Sequence, residues 1–569
     1  MSETRNLELR RAALELLRPA KGEAGMAFVD RLLERSDVAE VVAALEPEEL
    51  FSVMLWVGRS DSYEILRYAT EEQLQGVMDL DLWQSGSFSP EKFEQFMGIA
   101  ATTGDETVAR VIETLEDSQI GVYLLRRCRV MARLGDPDQE DEIHDMGETI
   151  LTPDNLFYLI LPQGNTWYGS LKSFIDAFYY LDRERILGIL ASVAGEDGDV
   201  LEAEERGFRA TRLGSMGFPT LAESQRLFLY ANPVKAREKI RSKLDGAAEV
   251  QYGSESLLPA IMDFSKSQPK FLRQVLDGIA ERGGPVDRVI RGMVALANHV
   301  VMYETKDDVG NAEVATAGIE RAMRIMGMGL EYVAEGSVEV GELVLQRVTA
   351  TALFRIGHSL ALMVRQKAVE VGAHSGTAAG FYLFDPPLDQ CIKAASMDVP
   401  MYFEGLRDDD SERIRDFESL AELRRTRAAL KQAEGVAEFV TRALALDVAR
   451  LAKQVDKDFR PLVTHTTLMA TALVNGILGV EPWLTPVPAV DIPKVVDLLL
   501  IESEGGGRRV NPRFEAAVEQ FFNREQNKFA AALMELAVKK LENVFQRLPR
   551  GTVPDPRMLA DSLLVGRMS

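Results

Sequence analysis

Apolar side chains near the N-terminus recur three and four residues apart. Val38, Val41, Val42 and Leu45 fall on one stripe of a helix. Helix start signals punctuate this stretch. Ser36 and Asp37 precede VAEVVAAL, Pro47 stands at a first helical position before Glu48 and Glu49, and Asp61 precedes SYEILRYA. Thr70 and Gln73 have the spacing of a capping box, and Ser89-Pro90-Glu91 repeats the order of cap, proline and acid. Gly58 and the SGS at 85–87 stop the intervening runs. The pattern predicts short helices joined by tight turns. Such helices bury their stripes by stacking on one another.

Further on, DETVARVIETLEDSQIGVYLLRRCRVMARL predicts one long helix over 105–134, ended by Gly135-Asp136-Pro137. The acidic run DPDQEDEIHD then reads as an exposed joint. Thr152-Pro153-Asp154-Asn155, flanked by apolar residues, predicts a small β-hairpin over about 147–161, although LTPDNLF also resembles the helix start LEPEELF at 45–51. Helical patterning returns with a capping box at Thr220 and Glu223 and a start at Asn232-Pro233. It is almost continuous over 286–372, with breaks expected at Gly310, Gly327, Gly329, Gly336 and Gly341. Loops are expected at 385–387, 404–412 and 504–509, an extended connector at 481–493, and a long amphipathic helix over 513–548. The expected fold class is predominantly all-α, a multi-domain helical array divided at 1–135, 136–248, 249–403 and 413–569.

Two resemblances rest on these segments. Residues 32–80, with Asp37, Ala39, Glu40, Leu45, Pro47, Glu48 and Glu49 in the pattern, resemble the cytosolic N-terminal domain of MgtE-type magnesium transporters. That likeness implies a superhelix of short helix pairs. RGFRATRLGSMGFPTLAESQRLF (206–228), LQRVTATALFRIGHSLAL (345–362), DPPLDQCIKAASMDVPMYFEGL (385–406) and FESLAELRR (417–425) are similar to a bacterial family of comparable length classed as a domain of unknown function. This second likeness covers most of the chain and implies no activity.

Charge changes the picture. The chain carries 65 basic and 88 acidic side chains. Residues 1–150 hold 15 and 31 of them, a balance of −16 out of −23. Such a surface repels nucleic-acid phosphate and favours a basic protein partner. The two cysteines, Cys128 and Cys391, lie far apart and fit a reducing cytoplasm. The polar start MSETRNLELRR lacks the apolar core of a signal peptide. Residues 461–480 contain no Asp, Glu, Lys or Arg, but His465, Asn475 and four threonines favour a buried core helix over a membrane span. No membrane insertion is expected.

Candidate chemistry is sparse. The acidic run with Asp136, Asp138, Glu140, Asp141, Glu142, His144, Asp145 and Glu148 offers hard-cation ligands, but Asp141 and Gly147 depart from the EF-hand pattern. A solvated linker is the simpler reading, and no metal or cofactor is expected. Arg209 and Arg212, in RATRLGSMGFP, stand beside Gly214 and Gly217 and would suit a carboxylate or phosphate, or else a structural clasp on backbone carbonyls. His299 and His358 sit in apolar runs that suit core histidines, and with His144, His374 and His465 they form neither HExxH nor HxH. Cys128 in RRCRV has basic neighbours, but on a helix these point elsewhere. No phosphate loop, dinucleotide fingerprint or nucleophile elbow is present. No catalytic residue is therefore assigned. The leading expectation is a non-catalytic helical scaffold or adaptor that binds another protein, with Phe51, Trp56 and Trp83 as candidate anchors, although a core position is the simpler reading of each. The alternatives are an enzyme with a non-local site near Arg209 and Arg212, and a regulator responsive to divalent cations. Sequence leaves the oligomeric state undetermined.

Overall fold

The caps read from the sequence open the helices of the N-terminal region. In the computed structural model, Pro47–Val57 begins behind a Glu46/Glu49 capping box, and Glu71–Asp81 behind Thr70 and Gln73. The Thr70 amide donates to Gln73 Oε1 at 2.8 Å, and the Gln73 amide returns a bond to Thr70 Oγ1 at 3.2 Å. The Gln73 side chain also donates to the carbonyls of Val42 and Leu45 at 2.7 and 2.6 Å. One residue thus starts its own helix and satisfies the open end of Val38–Ala43. Asp37 departs from expectation. Its carboxylate pairs with Arg35 at 2.8 Å and makes no cap bond.

The structure describes residues 25–58, 62–134, 143, 146–246, 248–250, 268–306, 308–408, 411–502, 508–511, 528–548, 551 and 553–566. Helix makes up 67 % of it, and the strands are short, so the chain is predominantly all-α. It divides into two units, residues 1–358 and 359–569.

In the first unit the expected long helix over 105–134 is three elements, Asp105–Thr114, Asp117–Arg127 and the strand Arg129–Ala132. The break follows from Leu115 in an extended conformation and Glu116, which forms a fresh capping box with Gln119. The helical stripe of 105–134 continues across this cap, and hydropathy alone does not register it. The hairpin predicted near 147–161 forms from Glu148–Leu151 and Phe157–Leu161, paired antiparallel through Ile150 and Leu159. Arg129–Ala132 adds to the other side of Phe157–Leu161, whose five residues are all buried as the central strand. Asn155, at φ 61°, closes the turn.

Helices Lys270–Glu281, Val286–Glu304, Ala312–Ala334 and Val338–Arg347 fill 268–347. Gly310 and Gly336 lie between helices as expected, but Gly327, Gly329 and Gly341 lie inside them. Close packing explains their positions. A Cβ on Gly329 would stand 2.0 Å from the Leu353 carbonyl oxygen, and one on Gly357 would stand 2.0 Å from that of Ile325. The two helix backbones touch where each presents a glycine. Gly341 likewise makes room for Val275.

The second unit has its own core, in which Leu420–Ala443, His465–Leu478 and Lys528–Phe545 bring together Val440, Leu468, Leu541 and Phe545. His465–Leu478 is the core helix expected within 461–480. Among the described residues, no helix is long and apolar enough to cross a membrane. Of the helix predicted over 513–548, Lys528–Phe545 is present, and residues 512–527 lie outside the described residues.

Candidate functional site

Arg209 and Arg212 lie on the inner face of the helix Gly198–Ser215, with Glu205 on the same side one and two turns earlier. That face packs on Glu71–Asp81, where Asp79 is fully buried. Arg212 Nε and Nη2 donate to the two oxygens of Asp79 at 2.7 and 2.9 Å, and Nη2 also reaches Glu205 at 2.6 Å. Ser118 donates to the other oxygen of Glu205. Arg209 Nε donates to the Asp79 carbonyl at 2.7 Å, and its guanidinium lies 4.9 Å over the Trp83 ring. Burial lifts the Asp79 and Glu205 carboxyls above their ordinary values against the pull of Arg212. The same burial opposes the Arg212 charge, but its bonds to Asp79 and Glu205 outweigh that and hold it firmly protonated. Both arginines therefore act as a clasp between helices, and a ligand anion would have to displace Asp79.

The loop after this helix is built the same way. Gly217 takes φ 77°, and its carbonyl accepts from Asn298 Nδ2 at 3.1 Å. A groove of about 630 Å³ runs beside Ser85, Ala203, Gly207, Ala210 and Gln225. Two of its polar side chains are already engaged: Arg206 pairs with Glu202 at 3.1 Å, and Thr220 Oγ1 donates to Glu223 at 2.9 Å.

Burial also governs both cysteines and two of the histidines. Cys128 is buried, donates its thiol to the Leu124 carbonyl at 3.3 Å, and is pushed up by burial to about 12. Burial raises Cys391 to about 12 as well. It pushes His358 down to about 4 and His465 down to about 3, so both rings are neutral at pH 7. The acidic stretch 136–145 lies outside the described residues except for Ile143, while Glu148 accepts from Asn165 at 2.9 Å. No metal-holding group of three ligands occurs among the described residues.

The first unit also exposes several large apolar side chains. Leu134 is 77 % exposed where it follows the strand Arg129–Ala132. Leu156 is 48 % exposed, and its carbonyl accepts from Arg133 at 2.8 Å, so these two leucines flank one end of the sheet. Leu151 emerges at the same end, from the strand on the other side of the turn. Tyr180, 89 % exposed, follows Tyr179, whose hydroxyl donates to Asp154 in that turn. Phe51 and Trp83 are buried core residues, as the simpler reading of them expects, so they do not serve as anchors, and the side chain of Trp56 lies outside the described residues. The sequence signal for the exposed set is slight: Leu156 directly follows the polar turn TPDN.

Fold and site thus define a helical protein whose charged interior is structural and whose accessible features are surfaces and cavities. The chain belongs to a family of unknown function, DUF6178, which residues 2–565 match. No curated protein and no solved structure matches it. The expected likeness to a family of unknown function over most of the chain thereby stands. The likeness of 32–80 to the magnesium-transporter domain finds no support in these matches.

Proposed function

We propose that this chain is a non-catalytic helical scaffold that binds another protein. The observation that supports this reading best is the exposed apolar set at the turn end of the three-stranded sheet, Leu134, Leu151, Leu156 and Tyr180. Large apolar side chains left exposed favour contact with another molecule, because covering them removes area from water. The acidity of residues 1–150 makes a basic partner the favoured occupant, steered by charge and held by apolar contact. The engagement of Arg209 and Arg212 with Asp79, and the inert thiols, favour binding over catalysis.

The test uses the full chain, affinity-purified from its native cell at about 0.1 M and about 1 M salt, across which the Debye length falls from about 10 to about 3 Å. The comparison is a triple variant, Leu134→Asp, Leu156→Asp and Tyr180→Asp. All three positions are exposed, so circular dichroism and melting should match the parent. A specific partner identified by mass spectrometry should be lost from the variant and weakened by salt. Equal capture by parent and variant would place the contact elsewhere. Salt-independent capture would remove the electrostatic part.

A further inference from the structure

A second cavity in the first unit, of about 490 Å³, combines basic and apolar walls. Its walls come from the helix Pro233–Arg241, the 3-10 turn Leu244–Gly246 and the start of Ala350–Gly372. Ile240, Leu244, Val348 and Ile356 make it apolar, and Leu244 and Ile356 are buried. Lys239, Lys243, Arg347 and Arg355 also line it, and no lining residue is a carboxylate.

That imbalance is specific to one face. On the same helix, Arg237 and Arg241 both pair with Glu335, at 3.3 and 2.5 Å. Lys239 and Lys243 make no ion pair among the described residues. Arg347 Nη1 donates to the Leu244 carbonyl at 2.7 Å, which props the wall. Arg355 is half-buried, and its Nε is shielded from solvent with no hydrogen-bond partner among the described residues.

A buried guanidinium N–H without an acceptor is costly, and the like charges of Lys239, Lys243 and Arg355 around one apolar hollow repel one another. A bound anion relieves both. Thr349 and Ala352 bring the N-terminal end of a 23-residue helix to the same hollow, which adds the positive end of its dipole. The apolar floor and the volume suit an organic body as well as a charge.

We propose that this cavity binds a small amphiphile carrying one anionic head group, a carboxylate or a phosphate, on an apolar body. Arg355 and the two lysines hold the head group, and Ile240, Leu244 and Ile356 hold the body. The site is independent of the protein-contact surface, so either can fail without the other.

Isothermal titration of the full chain tests this with decanoate, decyl phosphate, decanol and inorganic phosphate. Decanoate or decyl phosphate should bind at least about tenfold more tightly than decanol and than inorganic phosphate, and the tighter of the two identifies the head group. Arg355→Gln should weaken that ligand about tenfold, the usual worth of a charge-assisted bond. Lys239→Gln, at an exposed position that leaves the fold intact, should weaken it in the same direction. Lys172→Gln, in an exposed pair with Asp176 elsewhere, should leave it unchanged. Binding of decanol as tight as decanoate, of inorganic phosphate as tight as decyl phosphate, or no binding at all would overturn the proposal. So would wild-type affinity in both Arg355→Gln and Lys239→Gln.

Discussion

Removing Arg212 should expose how much of the first unit depends on one buried ion-pair cluster. In Arg212→Met the side-chain volume is roughly kept, but Asp79 and Glu205 remain fully buried without their cation. Breaking such a pair from one side costs about 3–5 kcal/mol, because a desolvated charge is left behind. The penalty should depend on pH with a definite sign. Burial already raises both carboxyls, and loss of Arg212 raises them further, above their values in the unfolded chain. A group with a raised folded pKa favours the folded state at low pH, and that contribution is lost as pH rises through the folded value. The variant should therefore be most destabilised near pH 7.5 and partly restored near pH 5, where the orphaned carboxyls take up protons. Urea unfolding followed by far-ultraviolet circular dichroism at both pH values measures this. The triple variant Arg212→Met, Asp79→Asn, Glu205→Gln should recover much of the loss, since it leaves neither carboxylate buried without Arg212. Lys172→Met, which breaks the exposed pair with Asp176, should cost at most about 1 kcal/mol. A midpoint for Arg212→Met unchanged at pH 7.5, or a penalty that grows on acidification, would refute the reasoning.

Two further perturbations follow from packing and burial. Gly329→Ala should destabilise by about 1–3 kcal/mol, because its Cβ meets a carbonyl oxygen, whereas Gly98→Ala within Pro90–Thr103, where a Cβ meets nothing, should stabilise by about 0.5–1 kcal/mol; thermal melting of the two variants against the parent gives opposite signs or refutes the contrast. His358, held near 4 by burial, takes up its proton in the unfolded chain first, so the folded protein should lose about 2 kcal/mol between pH 7.5 and pH 5 from this residue. His358→Phe should remove that part of the acid sensitivity, read as a smaller shift in urea midpoint between the two pH values.

Features set by neighbours in sequence were legible, and features set by contact across the fold were not. The boxes at Thr70/Gln73 and Thr220/Glu223 and the turn at 152–155 could be read because their hydrogen bonds close within three to five residues. Arg129–Ala132 could not be read as strand, because its partner, Phe157–Leu161, lies about thirty residues on and its own apolar stripe continues that of the preceding helix. Gly329 failed for a similar reason. A helix-breaking propensity of about 1 kcal/mol is outweighed when the missing side chain lets two backbones meet.

The candidate sites divide along the same line, and charge shows it most clearly. Arg209 and Arg212 are conspicuous in sequence because they stand together beside glycines, yet their acceptor, Asp79, comes from about 130 residues earlier and is already in place. The basic cavity is silent in sequence because its cations arrive in two pairs, Lys239 with Lys243 and Arg347 with Arg355, about a hundred residues apart. Each pair, met alone, resembles a solvated helix face like that of Arg237 and Arg241, which pair with Glu335. A net charge of −23 describes the far field of this chain, which governs encounter with a large partner. Within a cavity a few ångströms across, the local balance decides instead, because unscreened contact charges outweigh distant ones. An acidic protein with a basic hollow can therefore repel anionic macromolecules at its surface while still admitting a small anion that fits inside.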